Sequence, residues 1–134
     1  MHLPAGFSIV TPYIFVDEAE AYVAFLERAL GGKERGRSLR SDGKIANAQI
    51  GFGTSTVMIS EPQAEFPASR AAFYLYVEDA DRAMRQAVAS GAELIMDVAN
   101  MPYGDRQGGV RDIAGNIWWI SQRLTSEPYF KTSS

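Results

Sequence analysis

Two ten-residue stretches decide the fold: Thr11-Pro12-Tyr13-Ile14-Phe15-Val16-Asp17-Glu18-Ala19-Glu20 and Ala72-Phe73-Tyr74-Leu75-Tyr76-Val77-Glu78-Asp79-Ala80-Asp81. A shift of 61 residues lays one over the other. In both, an aromatic and β-branched run ends in valine, then come an acidic pair, an alanine and another acid. The first copy continues to Leu30-Gly31-Gly32 and the second to Ser90-Gly91-Ala92, one residue out of step. Self-similarity at a fixed period marks a repeated supersecondary unit.

Each copy reads as a strand, a helix and three further strands. The runs 9–16 and 72–78 are rich in Val, Ile, Phe and Tyr, which pack well on a pleated surface. Asp17 and Asp79 are placed to accept backbone N–H bonds from a first helical turn, and Glu18, Glu20 and Asp81 suit the positive end of a helix dipole. Ala19, Tyr22, Val23, Leu26 and Leu30 form one apolar stripe at helical spacing, and Ala80, Ala83, Met84, Ala87 and Val88 form the other. Gly31 and Gly91 fall where a left-handed residue ends each helix. Turn signals at Ser41-Asp42-Gly43 and Gly51-Phe52-Gly53-Thr54 separate strands expected at 33–40, 44–51 and 55–60. The second copy has strands expected at 93–98, 107–112 and 117–122, with a loop over 100–105 and a turn over 113–116. The expectation is an α+β domain of two βαβββ modules, about 8–61 and 71–124. The segment 62–70 reads as a linker and 125–134 as a loose tail.

Composition narrows the chemistry. The chain has 134 residues, 46% hydrophobic and 22% charged, with a net charge of −3. That length suits one compact domain or two small modules, burying about two thirds of the unfolded surface. The basic residues are scattered, so no footprint for nucleic acid exists. No apolar run approaches the roughly 20 residues that cross a bilayer. The N-terminus lacks a basic region followed by an apolar one, so no signal peptide is expected and a cytoplasmic setting is. With no cysteine, disulfides, thiolate metal sites and cysteine nucleophiles are excluded. His2 is the single histidine, so no serine or threonine has an imidazole to activate it. Gly104, Gly108 and Gly109 do not follow a strand-to-helix pattern and form no phosphate loop.

The duplicated module, with Tyr103-Gly104-Asp105-Arg106 and Val110-Arg111-Asp112-Ile113-Ala114-Gly115-Asn116-Ile117-Trp118, resembles the vicinal oxygen chelate superfamily, the glyoxalase, bleomycin-resistance and dioxygenase group. The resemblance spans about 8–124. The quoted stretch is similar to the Tyr-Gly-Asp-Arg and Val-x-Asp-Pro-x-Gly-x-x-Trp pattern of a small bacterial branch, with Ile113 where those relatives usually have proline. The resemblance implies sheets curled into open cups that hold a ligand, commonly in a homodimer. It also implies metal ligands on the first and last strand of each module. Carried onto this chain, those positions are Thr11, Met58, Ala72 and Trp119, none of which suits a divalent metal. Asn47-Ala48-Gln49 stands where some relatives carry His-Ala-Glu, so amides replace the chelating groups. No metal and no other cofactor is expected.

Strand alternation predicts what fills such a cup. Tyr13, Phe15, Tyr74 and Tyr76 share the parity of Thr11 and Ala72, and Trp119 shares its face with Ile117 and Ser121. Asn47 and Gln49 are candidate polar contacts, and Arg106 is a candidate clamp for an anionic group. The competing readings are plainer: aromatics as core, and Arg106 paired with Asp105 to hold a loop. Asp112 is expected to organise its hairpin turn, and Trp118 to face opposite Trp119. Glu61 and Asp97 are the carboxylates nearest predicted strand ends. The leading expectation is a metal-free protein that binds a small aromatic or hydrophobic compound, with sequestration or resistance as its use and the balance against catalysis. The alternatives are a lyase, isomerase or dioxygenase of the same superfamily, and a protein-interaction module.

Overall fold

The computed structural model describes residues 1–131. Two compact units divide the chain, Met1–Ala71 and a second that begins at Ala72. The first unit runs β1 (Tyr13–Phe15), α1 (Ala19–Leu30), β2 (Lys33–Leu39), β3 (Ile45–Phe52) and β4 (Ser55–Ser60). The second runs β5 (Ala72–Tyr76), α2 (Ala80–Ala89), β6 (Glu93–Asn100), β7 (Asp105–Arg111) and β8 (Ile117–Arg123). Each is thus a βαβββ module, as the repeat predicts. Each has one four-stranded sheet, in the order β1-β4-β3-β2 or β5-β8-β7-β6. The first and last strands pair in parallel, the rest antiparallel.

One face of each sheet is covered by its helix. In the first unit Tyr22, Val23, Phe25 and Leu26 of α1 are buried, as are Ile14, Ala48, Ile50, Val57 and Ile59 of the sheet. In the second, Ala80, Met84 and Ala87 of α2 are buried along with Val110, Trp118 and Ile120. Trp118 stacks on Phe73 with centroids 4.3 Å apart, and its indole N–H donates to Asp112 Oδ2 at 2.8 Å. Asp112 Oδ1 accepts from the backbone N–H groups of Ala114 and Asn116 at 2.9 Å each, so it organises the hairpin turn as expected.

The helix starts show the repeat and one correction. Asp79 caps α2 by accepting from Arg82 N at 3.1 Å, but Asp17 does not cap α1. There the first turn begins at Glu18, in a left-handed conformation (φ 56°) without a side-chain cap of its own. Glu61, just past β4, supplies the acceptors instead: its two carboxylate oxygens take Glu18 N at 2.9 Å and Ala19 N at 2.8 Å. Sixty-one residues on, Gln122 Oε1 accepts from Ala80 N at 3.0 Å. A carboxylate suits the positive end of α1 and offsets the cost of a non-glycine residue at positive φ. Replacing Glu61 with Ala is expected to destabilise the first unit by about 1–2 kcal/mol, read by urea unfolding, and Gln by less. This role engages both Glu61 carboxylate oxygens with the backbone.

Candidate functional site

Cross-strand register places the side chains of the uncovered face in rows, because direct partners point the same way and successive residues alternate. In the second unit Tyr74, Trp119 and Gly109 form one row, Tyr76, Ser121 and Gln107 the next, and Arg123 with Asp105 a third. In the first unit Tyr13, Met58 and Gln49 share a row, and Phe15 lies beside Ser60. The parity expected for Tyr13, Phe15, Tyr74, Tyr76 and Trp119 is therefore the parity found.

The centre of the second unit's face is Asp105, a carboxylate with no exposure to solvent. Its Oδ2 accepts from the hydroxyls of Tyr74 and, at 2.6 Å, Tyr129. Its Oδ1 accepts from Arg123 Nη1 at 2.9 Å. The Tyr129 hydroxyl also meets that of Tyr76 at 2.7 Å, and the Arg123 guanidinium lies over the Tyr129 ring, 4.0 Å from its centroid. Beside them the Tyr103 hydroxyl donates to Gln107 Oε1, and Gln107 Nε2 donates to Ser121 Oγ at 2.7 Å. Burial pushes the Asp105 carboxyl upward, but the two phenols and the guanidinium outweigh it and hold it below the ordinary carboxylate range. Burial, then the bond to that anion, raises the phenols of Tyr74 and Tyr129. At neutral pH the site is one buried anion surrounded by neutral phenols and one cation.

Above this network lies a cavity of about 450 Å³, lined by Tyr74, Tyr76, Tyr103, Tyr129 and Phe130. Its walls are aromatic, with the hydroxyls of Tyr74 and Tyr129 on Asp105 and that of Tyr103 on Gln107. Aromatic walls with a few hydrogen-bonding groups are the general make-up of sites that suit small organic molecules. The ring of Trp119 lies against Gly109: a Cβ added there would sit 2.5 Å from Cζ3. Gly109→Ala is expected to tilt the indole, shifting its fluorescence maximum, and to cost about 1–3 kcal/mol through overpacking.

Tyr103-Gly104-Asp105-Arg106 divides its labour. Tyr103 supplies a wall, and its carbonyl takes Arg123 Nη1 at 2.6 Å. Gly104 turns the chain at φ 94°. Asp105 and Arg106 are successive residues of β7 and point to opposite faces. Arg106 lies on the helix side, where Nε and Nη2 bind the Asp81 carboxylate at 2.7 and 3.0 Å and Nη1 binds Asn100. This corrects both expectations for Arg106: it is held away from the cavity, and Asp105 pairs with Arg123 instead. Asp97 lies by α2, with Asp81, Met84 and Val88 around the same hollow.

In the first unit Tyr13 and Phe15 pack at 5.0 Å, and Phe15 stacks on Phe66 at 5.7 Å. The Tyr13 hydroxyl meets Ser60 Oγ at 2.5 Å. Gln49 Nε2 donates to Asn47 Oδ1 at 3.4 Å, so the two amides share one patch. Residues 62–70, expected as a linker, form no strand or helix, yet Phe66 covers part of this face. Likewise 125–131 form neither element, but Tyr129 is anchored on Asp105 rather than loose. The remainder of that expected tail, 132–134, lies outside the described residues. Tyr129, Phe130 and Arg123 escaped the sequence reading because no local periodicity marks a residue that folds back onto a sheet. Gln107 and Asp105 were accessible through alternation once β7 is begun at 105.

The metal set of the vicinal oxygen chelate group does not fit here. Thr11 is not on the first strand, because β1 starts at Tyr13 and not within the longer run expected at 9–16, and its Oγ1 donates to the Ser8 carbonyl at 3.4 Å. Met58 offers a thioether, and Ala72 and Trp119 offer no lone pair to a divalent ion. Among the described residues no three His, Asp or Glu side chains converge as a metal site, nor is any helix long and apolar enough to cross a membrane.

A family model of the Glyoxalase/Bleomycin resistance protein/Dioxygenase superfamily matches residues 7–120, and the chain belongs to that superfamily. An uncharacterized protein of Mycobacterium bovis is 26% identical over 124 residues, covering 84% of this chain and 82% of that one. Among solved structures, TioX from Micromonospora sp. ML1 has a TM-score of 0.72 at 22% identity, over 90% of this chain and 100% of that one. TnmS3, an antibiotic binding protein from Streptomyces sp. CB03234, has a TM-score of 0.70 at 19% identity, over 91% of this chain and 99% of that one. A glyoxalase-related enzyme from Fulvimarina pelagi has a TM-score of 0.70 at 18% identity, over 87% and 88%. At these identities the structural matches establish the fold.

Proposed function

We propose that this protein binds a small aromatic or hydrophobic compound, without a metal, on the tyrosine-walled face of the second unit. The observation that carries the reading is the 450 Å³ cavity built from four tyrosines and a phenylalanine over the buried Asp105. Tyr74, Tyr76 and Trp119 belong to this ligand-facing set, with Tyr13, Phe15, Asn47 and Gln49 on the equivalent face of the first unit. Arg106 does not, because its guanidinium is engaged by Asp81 on the other side of the sheet. The antibiotic-binding TnmS3 shares the fold, which agrees with binding as the use of such a face. The hydroxyls of Tyr74, Tyr76, Tyr103 and Tyr129 are all engaged in hydrogen bonds, and sequestration is the role we assign. We carry the homodimer as part of this proposal, to be read from the mass of the native protein.

Calorimetric and thermal-shift titration with neutral two-ring aromatics, 2-naphthol among them, tests the reading. Binding is expected to survive EDTA treatment, and a ligand at a hundred times its Kd raises stability by about 2.7 kcal/mol. Tyr76→Ala is expected to weaken binding by about tenfold, the worth of one good aromatic contact. Absence of any shift across the panel, or binding that EDTA abolishes, overturns it.

A further inference from the structure

Asp105 holds its donors by unequal means. Tyr74 and Arg123 are residues of β5 and β8, fixed by the ladders of the sheet. Tyr129 comes from a stretch without strand or helix. Beyond its hydroxyl contacts, that stretch is held to the face by the guanidinium over the Tyr129 ring, by the Tyr103 ring 6.2 Å away, and by Arg123 Nη2 donating to the Glu127 carbonyl at 2.7 Å. Tyr129 is 41% exposed and its neighbour Phe130 85% exposed, so the segment is only partly buried. Yet its hydroxyl reaches a carboxylate that has no solvent contact.

We infer that Tyr129 is a displaceable wall of the cavity, and that the compound taken up is a phenol whose hydroxyl replaces that of Tyr129 on Asp105. This rests on the binding reading above and names its ligand class. Hydrogen-bond satisfaction at Asp105 decides the ligand class. A buried carboxylate that loses a donor keeps the full cost of the unmade bond. An aromatic ring that cannot donate would displace Tyr129 only at that cost, whereas a phenol restores the bond and the ring contact together. Sites built around a hydroxyl reject analogues that lack it far more strongly than sites built for shape alone. The same anion disfavours aromatic acids, whose charge it would oppose. Arg123, already spent on Asp105 Oδ1, the Tyr103 carbonyl and Glu127, does not neutralise a second carboxylate.

The test titrates wild type, Tyr129→Ala and Tyr129→Phe with 2-naphthol and with 2-methoxynaphthalene, which keeps the rings and loses the donor. Wild type is expected to bind the naphthol at least tenfold more tightly than the ether. Tyr129→Ala is expected to gain a further tenfold or more for the naphthol and little for the ether. Tyr129→Phe, which keeps the ring but frees Asp105 Oδ2, is expected to fall between, and it covers the case in which the alanine variant folds poorly. Equal gains for both probes, or no gain in either variant, overturn the inference while binding by wild type stands. If neither probe binds wild type or variant, the binding reading falls and this inference with it.

Discussion

Replacing Trp118 with alanine is expected to destabilise the second unit by about 3–5 kcal/mol, the range for removing a large buried aromatic. Trp118 is 2% exposed and stacked on Phe73, so the void opens under the sheet next to Ile120 and Val110. The change also removes the indole donor from Asp112, which holds the 112–116 turn. Trp118→Phe separates the two contributions. It keeps most of the ring volume and the stacking, and should cost about 1–2 kcal/mol for the lost charged hydrogen bond and the shortfall in size. Urea unfolding followed by tyrosine fluorescence and far-UV circular dichroism reads both. A loss below about 1 kcal/mol for the alanine variant would contradict the packing described here.

Asp105→Ala is the second large effect, with an expected loss of about 2–4 kcal/mol. Two phenols and a guanidinium lose their shared acceptor, and the Arg123 side chain, 20% exposed, recovers part of its solvation. The pH profile gives this network a signature that a packing defect lacks. The Asp105 carboxyl lies below its ordinary value in the folded protein. Its contribution is therefore present above the unfolded pKa of about 4 and is lost as pH falls through the lower folded value. The phenols of Tyr74 and Tyr129 lie above theirs. Their contribution is complete below about pH 10 and is lost as pH rises through the folded values. Asp105→Asn keeps the shape of the side chain and should flatten both limbs. An unaltered acid limb in Asp105→Asn would mean that another carboxylate governs it.

These variants probe features of different legibility. The helix of each module, the strand runs and the repeat all follow from short-range rules: a 3.6-residue stripe, a glycine where α1 must turn at φ 76°, and alternation along a strand. The same alternation put Tyr13, Phe15, Tyr74, Tyr76 and Trp119 on the uncovered faces. Where the reading failed, the reason is equally physical. Starting β7 near 107 left Asp105 and Arg106 in a loop, in which neighbours are free to pair. The strand begins at Asp105, and on a strand two successive side chains cannot share a face. Two residues of boundary error thus exchanged the partner of a buried carboxylate.

By itself, then, the sequence determined the two βαβββ modules and the aromatic character of the uncovered sheet faces, because each is written in local periodicity, while the superfamily resemblance rested on the motifs at 103–106 and 110–118. Only the tertiary structure decided that Glu61 caps α1, that Arg123 rather than Arg106 neutralises Asp105, and that Tyr129 returns to the sheet. Those contacts join residues 18 to 43 positions apart in the chain. Nothing in a local pattern records them, because they form only once the strands have set the positions of both partners.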